Sequence, residues 1–285
     1  MKILLLYKKS VYKYVFLNPA NRDALQGTDP RFLKRFQRTH AQHTQALAKV
    51  EEVLKKFRLS YVKYSRGREI SYDPYDVVIT LGGDGTFLEA ARHIRHQIIL
   101  GINSDPHWSV GRFCVATDKN FETYIRLIIE NRHRTQQLQR LCLTVPDSHR
   151  QINVLNDILV CHKNPAAMSR YIMTVKGKME EQRSSGVWVA PAAGSTGAIQ
   201  SAGGIVLPME SKRFQYMVRE PYYRLGDKFI LTGGMLSSHD KIQFLSLMPE
   251  GIIYVDGPHE FYPFKFGHKV TITRSTQPLK VVRSI

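Results

Sequence analysis

The sequence predicts two folds in series. An α/β domain with a parallel sheet is expected over residues 1–117, and a β-rich domain of β-sandwich type over residues 118–285. Three observations lead there. The first third alternates apolar, β-branched runs with stretches of helical period, the pattern of βαβ units. After Asp118 the pattern changes to one helix and then short strand-like runs separated by turn residues. The 285 residues, 43% of them hydrophobic, are enough to bury two cores.

Lys2 to Tyr7 reads as the first strand. Residues 31 to 57 read as a helix, with Leu47, Val50, Leu54 and Phe57 on one face. Leu59 to Tyr64 and Asp76 to Leu81 follow as strands, the second mostly apolar and β-branched, as buried parallel strands are. Phe87 to His96 is expected as a helix, Gln97 to Ile102 as another strand, and Asp118 to Arg132 as a helix with Asp118 as its N-cap. The expected domain break lies between Ala116 and Arg134. Beyond it, strands are expected at Leu138 to Val145, Gln151 to Cys161, Tyr171 to Lys178, Gly186 to Ala190, Phe229 to Leu231, Ile242 to Leu247, Ile252 to Val255 and Lys269 to Thr273. Turns are expected at Pro146-Asp147-Ser148 and Asp256-Gly257-Pro258, and the last residues are left open to pack back on the first domain.

Composition narrows the function classes. No apolar run approaches the length of a membrane span, and the Met1–Lys9 start has too short an apolar stretch for a signal peptide, so a cytoplasmic protein with no membrane partner is expected. Cys114, Cys142 and Cys161 show no metal or disulfide spacing and read as buried thiols. The formal net charge of +17 suggests an anionic partner. The basic residues are scattered and no nucleic-acid motif is present, so small polyanions such as nucleotides are favoured over nucleic acid. Among the 11 histidines none has metal-ligand spacing; His40 and His43 lie one turn apart without a third ligand. No metal held by the protein alone is expected.

The most informative stretch is Gly82-Gly83-Asp84-Gly85-Thr86, after an apolar strand and before a helix. Ligands gather beyond the carboxyl ends of such strands. Glycines allow close backbone approach, and a helix N-terminus favours phosphate. Asp84 repels phosphate, so a carboxylate there points to proton transfer from an attacking hydroxyl, or to a metal carried by the phosphates. The plain alternative is a helix-capping turn. The stretch is neither a Walker A loop nor a Rossmann fingerprint.

Four segments together carry a family resemblance. They are Gly82–Thr86; Gly101–Asn103 with Gly111–Thr117 (GIN…GRFCVAT); Val154–Val160 (VLNDILV); and Ser184–Gly204 (SSGVWVAPAAGSTGAIQSAGG). In this order they resemble the NAD kinase family, which shares its turn with diacylglycerol and sphingoid lipid kinases. Ile102–Pro106 (INSDP), and Ser-Ser-Gly where most members carry Asp-Gly, are similar to the divergent mitochondrial-type branch.

The resemblance implies transfer of the γ-phosphate of ATP to the 2′-hydroxyl of the adenosine ribose of NAD, with Mg2+ accompanying ATP. It implies Asp84 as the catalytic carboxylate, with Gly82, Gly83, Gly85 and Thr86 at the phosphates and Phe87 near the adenine or in the helix core. Asn103, Asn156, Asp157, Ser185, Gly194, Ser195, Thr196 and Ser201 would contact nucleotide. Asp157 stands where the family has Glu, Ser185 where it has Asp, and Ala198 where it has an aromatic; Trp188 could replace that ring or pack in the core. The family also implies a homodimer or homotetramer. A lipid kinase and a non-catalytic NAD(P) sensor remain the alternatives.

Overall fold

The structure is a computed structural model that describes residues 1–18, 28–145, 150–223 and 228–284. The turn expected at Pro146-Asp147-Ser148 lies outside them. The chain divides into two compact units, Met1–Gln136 with Lys280–Ile285, and Gln137–Leu279. The division falls later than the expected break after Thr117. The helix beyond Asp118 belongs to the first unit because Phe121, Tyr124, Ile125 and Ile128 enter that unit's core.

The first unit is built on strands β1 (Ile3–Tyr7), β2 (Tyr61–Ser65), β3 (Val77–Gly82), β4 (Ile98–Asn103), β5 (Ala116–Thr117) and β6 (Thr135–Leu138). Its α-helices are α1 (Pro30–Lys56), α2 (Asp84–His93) and α3 (Phe121–Ile129). The sheet order is β2-β1-β3-β4, followed by the chain's last strand and β6, with β5 beside β4. β1 runs parallel to β2 and β3, and β3 parallel to β4. Both faces are covered, so Ile3 to Leu6 and Val77 to Gly82 are buried without alternation. α1 begins at Pro30, with the Asp29 carboxylate accepting the Arg31 N–H at 2.8 Å. Ala46, Val50, Val53 and Leu54 carry it onto the sheet. α3 starts after Asn120 rather than at Asp118, because Asn120 Oδ1 turns back to accept the Thr117 N–H.

The second unit contains β7 (Leu141–Thr144), β8 (Gln151–Val154), β9 (Ile158–His162), β10 (Ser169–Val175), β11 (Lys178–Ser184), β12 (Gly186–Pro191) and the one-turn helix α4 (Ala198–Ser201). β13 (Phe214–Arg219), β14 (Gly233–Leu236), β15 (Lys241–Ser246), β16 (Gly251–Val255), β17 (Glu260–Pro263) and β18 (Lys269–Arg274) complete it. The last strand, β19 (Leu279–Val282), pairs Lys280 and Val281 in parallel with Ile98 and Ile99 of β4. Two six-stranded sheets, β11-β10-β15-β18-β7-β8 and β14-β13-β12-β9-β16-β17, face each other across one core. Tyr171, Phe244 and Ile272 enter it from one sheet and Val160, Val189, Phe214 and Ile253 from the other.

Several expected strands differ. Gln151 to Cys161 is two strands in different sheets, broken at Asn156-Asp157. Tyr171 to Lys178 ends at Val175, where Lys176 (φ 48°) and Gly177 (φ 79°) make a tight hairpin. Its partner β11, KMEEQRS, is a charged edge strand whose sequence has no apolar run. Phe229 to Leu231 is not a strand, since the Ile230 and Leu231 N–H groups donate to the Glu180 carboxylate at 2.8 and 2.9 Å. Of the three thiols, only Cys161 is buried; Cys114 and Cys142 are partly exposed.

Candidate active site

In the first unit, β1, β2, β3 and β4 end on one edge at Tyr7, Ser65, Gly82 and Asn103. The strand order 2-1-3-4 reverses between β1 and β3, where open α/β sheets hold ligands. Lys8 follows β1 and donates its backbone N–H to Leu81 O at 3.1 Å. The glycine turn follows β3. α2 starts at Asp84 itself, earlier than the expected Phe87, with the extended Gly83 as N-cap. Asp84 therefore sits in the first turn, where the helix dipole favours an anion. Its Oδ1 accepts the Phe113 N–H at 2.9 Å, which fixes the carboxylate against the loop beyond β4.

The glycines let neighbouring side chains lie close over the turn. A Cβ on Gly82 would lie 2.4 Å from Thr86 Oγ1, and one on Gly83 2.4 Å from Ser109 Oγ. A Cβ on Gly85 would meet the Arg66 guanidinium at 3.1 Å. Arg66, just after β2, is tied to Glu89 of α2 at 3.3 Å. Two cations, Lys8 and Arg66, thus border the turn. Lys8 is held below its ordinary pKa chiefly by burial; Asp105 opposes this, and Arg66 adds to it. Cys114 is pushed up to about 12 by burial and then by the Asp84 charge, so it stays a thiol.

Three residues expected at the nucleotide are packed or hydrogen-bonded within the first unit. Phe87 is fully buried and stacks on Phe113 with ring centroids 5.2 Å apart, so it is helix core. Thr86 is buried beneath the turn. Asn103 folds the following loop, its Nδ2 donating to Ser109 O at 2.9 Å and its Oδ1 accepting from the Asp105 N–H at 3.0 Å.

The second unit brings Asn156, Asp157, Gly194 and Asp256 together. Gly194 packs so tightly on the Asn156 backbone that a Cβ there would lie 1.6 Å from Asn156 O. Asn156 Nδ2 donates to Asp157 Oδ2 at 2.7 Å. Burial, and then the neighbouring Asp256 carboxylate, push Asp157 up to about 7, while the Asn156 bond pulls the other way. Thr196, Ala198 and Ser201 are exposed around α4. Ser195 is not: its Oγ accepts the Leu207 N–H at 2.9 Å inside the protein.

Ser185 precedes β12 and Gly194 follows it. The six residues of β12, at a rise of about 3.3 Å each, put Ser185 far from Asn156 and Gly194, at the other end of the strand. Ser185 lines a separate hollow of about 280 Å³ with Met168, Glu220 and Tyr222. Trp188 is half-buried, with Arg219 5.9 Å over its ring, while Val187 and Val189 take the core side.

Sequence reasoning missed Lys8, Arg66 and the contact made by Asp256. The signal for the first two was a basic residue directly after a strand, in Tyr7-Lys8 and Ser65-Arg66. Among the described residues, no group of three or more His, Cys, Asp and Glu forms a metal cage, and no helix is long and apolar enough to cross a membrane.

Residues 24–132 match the model of the ATP-NAD kinase N-terminal domain. An NADH kinase of Arabidopsis thaliana is 33% identical over 99% of this chain and 95% of its own. A probable NADH kinase of Oryza sativa subsp. japonica is 31% identical over 90% of this chain and 86% of its own. The crystal structure of an NAD kinase from Archaeoglobus fulgidus in complex with ATP superposes with a TM-score of 0.71 at 24% identity, covering 100% of this chain and 94% of that one; at this identity the likeness concerns the fold.

Proposed function

Since the chain belongs to the ATP-NAD kinase family, we propose that it transfers the γ-phosphate of ATP to the 2′-hydroxyl of the adenosine ribose of NAD or NADH. The observation that carries this is Asp84, anchored by the Phe113 N–H in the first turn of α2, at the sheet's reversal point and beside Lys8 and Arg66. The names of the two plant relatives favour the reduced dinucleotide as a substrate alongside the oxidised one.

In this reading the Asp84 carboxylate orients the 2′-hydroxyl and takes its proton as the oxygen attacks the γ-phosphorus and the bond to ADP breaks. Lys8 and Arg66 neutralise phosphate charge, and the backbone N–H groups at the start of α2 add to it. Mg2+ suits this set. It would be held mainly by the ATP phosphates and water, which leaves the Asp84 carboxylate to take the proton. When bound it spreads charge over the transferring group. Asn156 offers a donor and an acceptor to the base or ribose edge of the acceptor, and Asp157 accepts from its hydroxyls.

Three free cysteines fit a reducing compartment such as the cytoplasm. Apolar side chains exposed on the β-rich unit, among them Met179, Ile230 and Phe261, support a homodimer or homotetramer.

The test supplies ATP and Mg2+ with NAD or with NADH and reads NADP(H) through an NADP-specific dehydrogenase. Product formed by the wild type and lost in Asp84→Asn supports the assignment. Labelled lipid formed from diacylglycerol or sphingosine without NADP(H) replaces it with a lipid kinase, and tight NAD binding without product replaces it with a sensor.

A further inference from the structure

Asp256 follows β16, in the turn to β17, and is nearly buried. It has φ 49°, and Gly257 after it has φ 105°, so both residues at the tip of the hairpin are left-handed. Asn or Gly would meet that backbone demand at least as well as Asp, so the turn alone does not explain a carboxylate. The contacts do. Asp256 Oδ1 accepts the N–H of Asn156 at 2.6 Å, of Leu155 at 3.1 Å and of Asp157 at 3.3 Å; Oδ2 lies 3.3 Å from the Leu155 nitrogen. In return the Asp256 N–H donates to Asp157 O at 2.9 Å. Three successive amides therefore converge on one carboxylate a hundred residues away. They belong to the break between β8 and β9, where the chain crosses from one sheet to the other.

We propose that Asp256 is the positioning residue for the Asn156–Asp157 pair of the second unit: it fixes the Leu155–Asp157 backbone so that the Asn156 and Asp157 side chains meet the acceptor nucleotide. This rests on the reading of Asn156 and Asp157 given above. An unsupported crossing between sheets would leave three amides without strand partners, and the side chains they carry would lose their aim. The Asp256 charge also acts on Asp157. The groups facing Asp157 are Asp256 from the β16–β17 turn and the Asn156 amide beside it; Arg140, fully buried, bears on Asp256 from outside the pair. With Asp157 raised to about 7, the acceptor meets a carboxylate above that pH and a carboxylic acid below it. A carboxylate accepts from two ribose hydroxyls, whereas the acid accepts less and donates one bond. KM for NAD should accordingly rise as pH falls through neutrality.

The experiment compares wild type, Asp256→Asn and Asp157→Asn. It reads KM for NAD and kcat from pH 5.5 to 8.5, and amide hydrogen exchange at Leu155–Asp157 without substrate. Asp256→Asn keeps the turn and an acceptor oxygen but removes the charge, so the three bonds that converge on Oδ1 lose their charge assistance and weaken. Its KM profile should move to lower pH by about one unit, as loss of a neighbouring like charge does, with faster exchange at Leu155–Asp157 and with kcat affected less than KM. Asp157→Asn should keep those amides protected and lose the pH dependence of KM. Unchanged exchange in Asp256→Asn overturns the proposal, as does a KM profile that stays in place. If the wild type makes no NADP(H), the kinase reading fails separately, and the exchange result still decides whether Asp256 holds the backbone. Should Asp256→Asn not fold, a pH-dependent KM that survives in Asp157→Asn overturns the electrostatic part.

Discussion

Asp84 Oδ1 and the Phe113 N–H are 2.9 Å apart, so the carboxylate in the first turn of α2 is held by the loop that follows β4. One oxygen is thereby fixed while the residue stays partly exposed, the arrangement of a group that keeps its aim and remains reachable. Asp84→Asn retains the shape and can still accept the Phe113 N–H through its carbonyl oxygen. Thermal unfolding should shift little. Turnover should fall by about 10²-fold or more, the usual loss with a general base. Near-normal turnover would remove Asp84 from proton transfer.

Lys8 is a cation whose burial is already a cost, since its pKa is lowered chiefly by desolvation. A phosphate recovers that cost. Lys8→Met should raise KM for ATP by about 10- to 100-fold, the range of one charge-assisted hydrogen bond. Lys8→Arg should recover part of it. The Met variant should also be at least as stable as wild type in the absence of nucleotide, because it removes a desolvated charge. Urea unfolding with and without ATP separates the two effects. A Met variant that binds ATP normally would exclude Lys8 from the phosphate site.

His43, on the buried side of α1, gives a prediction for pH. Burial and then the Lys8 charge lower it to about 4 from its ordinary value near 6.5. Between those values the unfolded chain holds a proton that the folded chain does not. Stability from this group is complete above about pH 6.5 and is lost as pH falls toward 4. The full effect is about 3 kcal/mol. Asp157 acts in the opposite sense, because its folded pKa is raised to about 7 and folding is favoured as pH falls below that. The comparison must therefore be between variants. The gap in urea midpoint between pH 7.5 and pH 4.5 should shrink in His43→Leu relative to wild type. An equal gap would mean that the ring is not held neutral.

Much of the first unit is legible in the sequence because its inner strands are buried on both faces and appear as apolar, β-branched runs, as Val77 to Leu81 does. The antiparallel unit is harder. β11 carries Glu180, Glu181 and Arg183 at a sheet edge, and no local pattern separates it from a loop. The crossing at Asn156-Asp157 reads as continuous strand because apolar residues flank it on both sides. The site divides in the same way. The glycine turn is local, so its spacing is visible. Lys8, Arg66 and Gly82–Gly85 meet only through the parallel order of β1, β2 and β3. Asp256 finds Asn156 across a hundred residues. Phe87 and Asn103 lie inside recognisable motifs, yet their side chains face Phe113 and the loop beyond β4, and only tertiary packing reveals this.

Gly194 and Gly177 separate two reasons for glycine. At Gly177 the backbone is left-handed (φ 79°) and a Cβ would meet nothing within 4 Å. Gly177→Ala should therefore cost about 1 kcal/mol, the conformational term alone. At Gly194 φ is ordinary, but a Cβ would fall 1.6 Å from the Asn156 carbonyl oxygen and 2.4 Å from its carbon. Both are backbone atoms in the segment that Asp256 holds, so they cannot yield as the tip of a side chain would. Gly194→Ala should cost about 3 kcal/mol or more. Whatever fraction folds should show a raised KM for NAD, because Asn156 is displaced. Its KM for ATP should change less. Denaturant unfolding and steady-state kinetics of the two alanine variants, run side by side, test this. Equal stability losses would mean that the Gly194 contact relaxes without moving Asn156, and the tight packing would then carry no constraint on the acceptor pair.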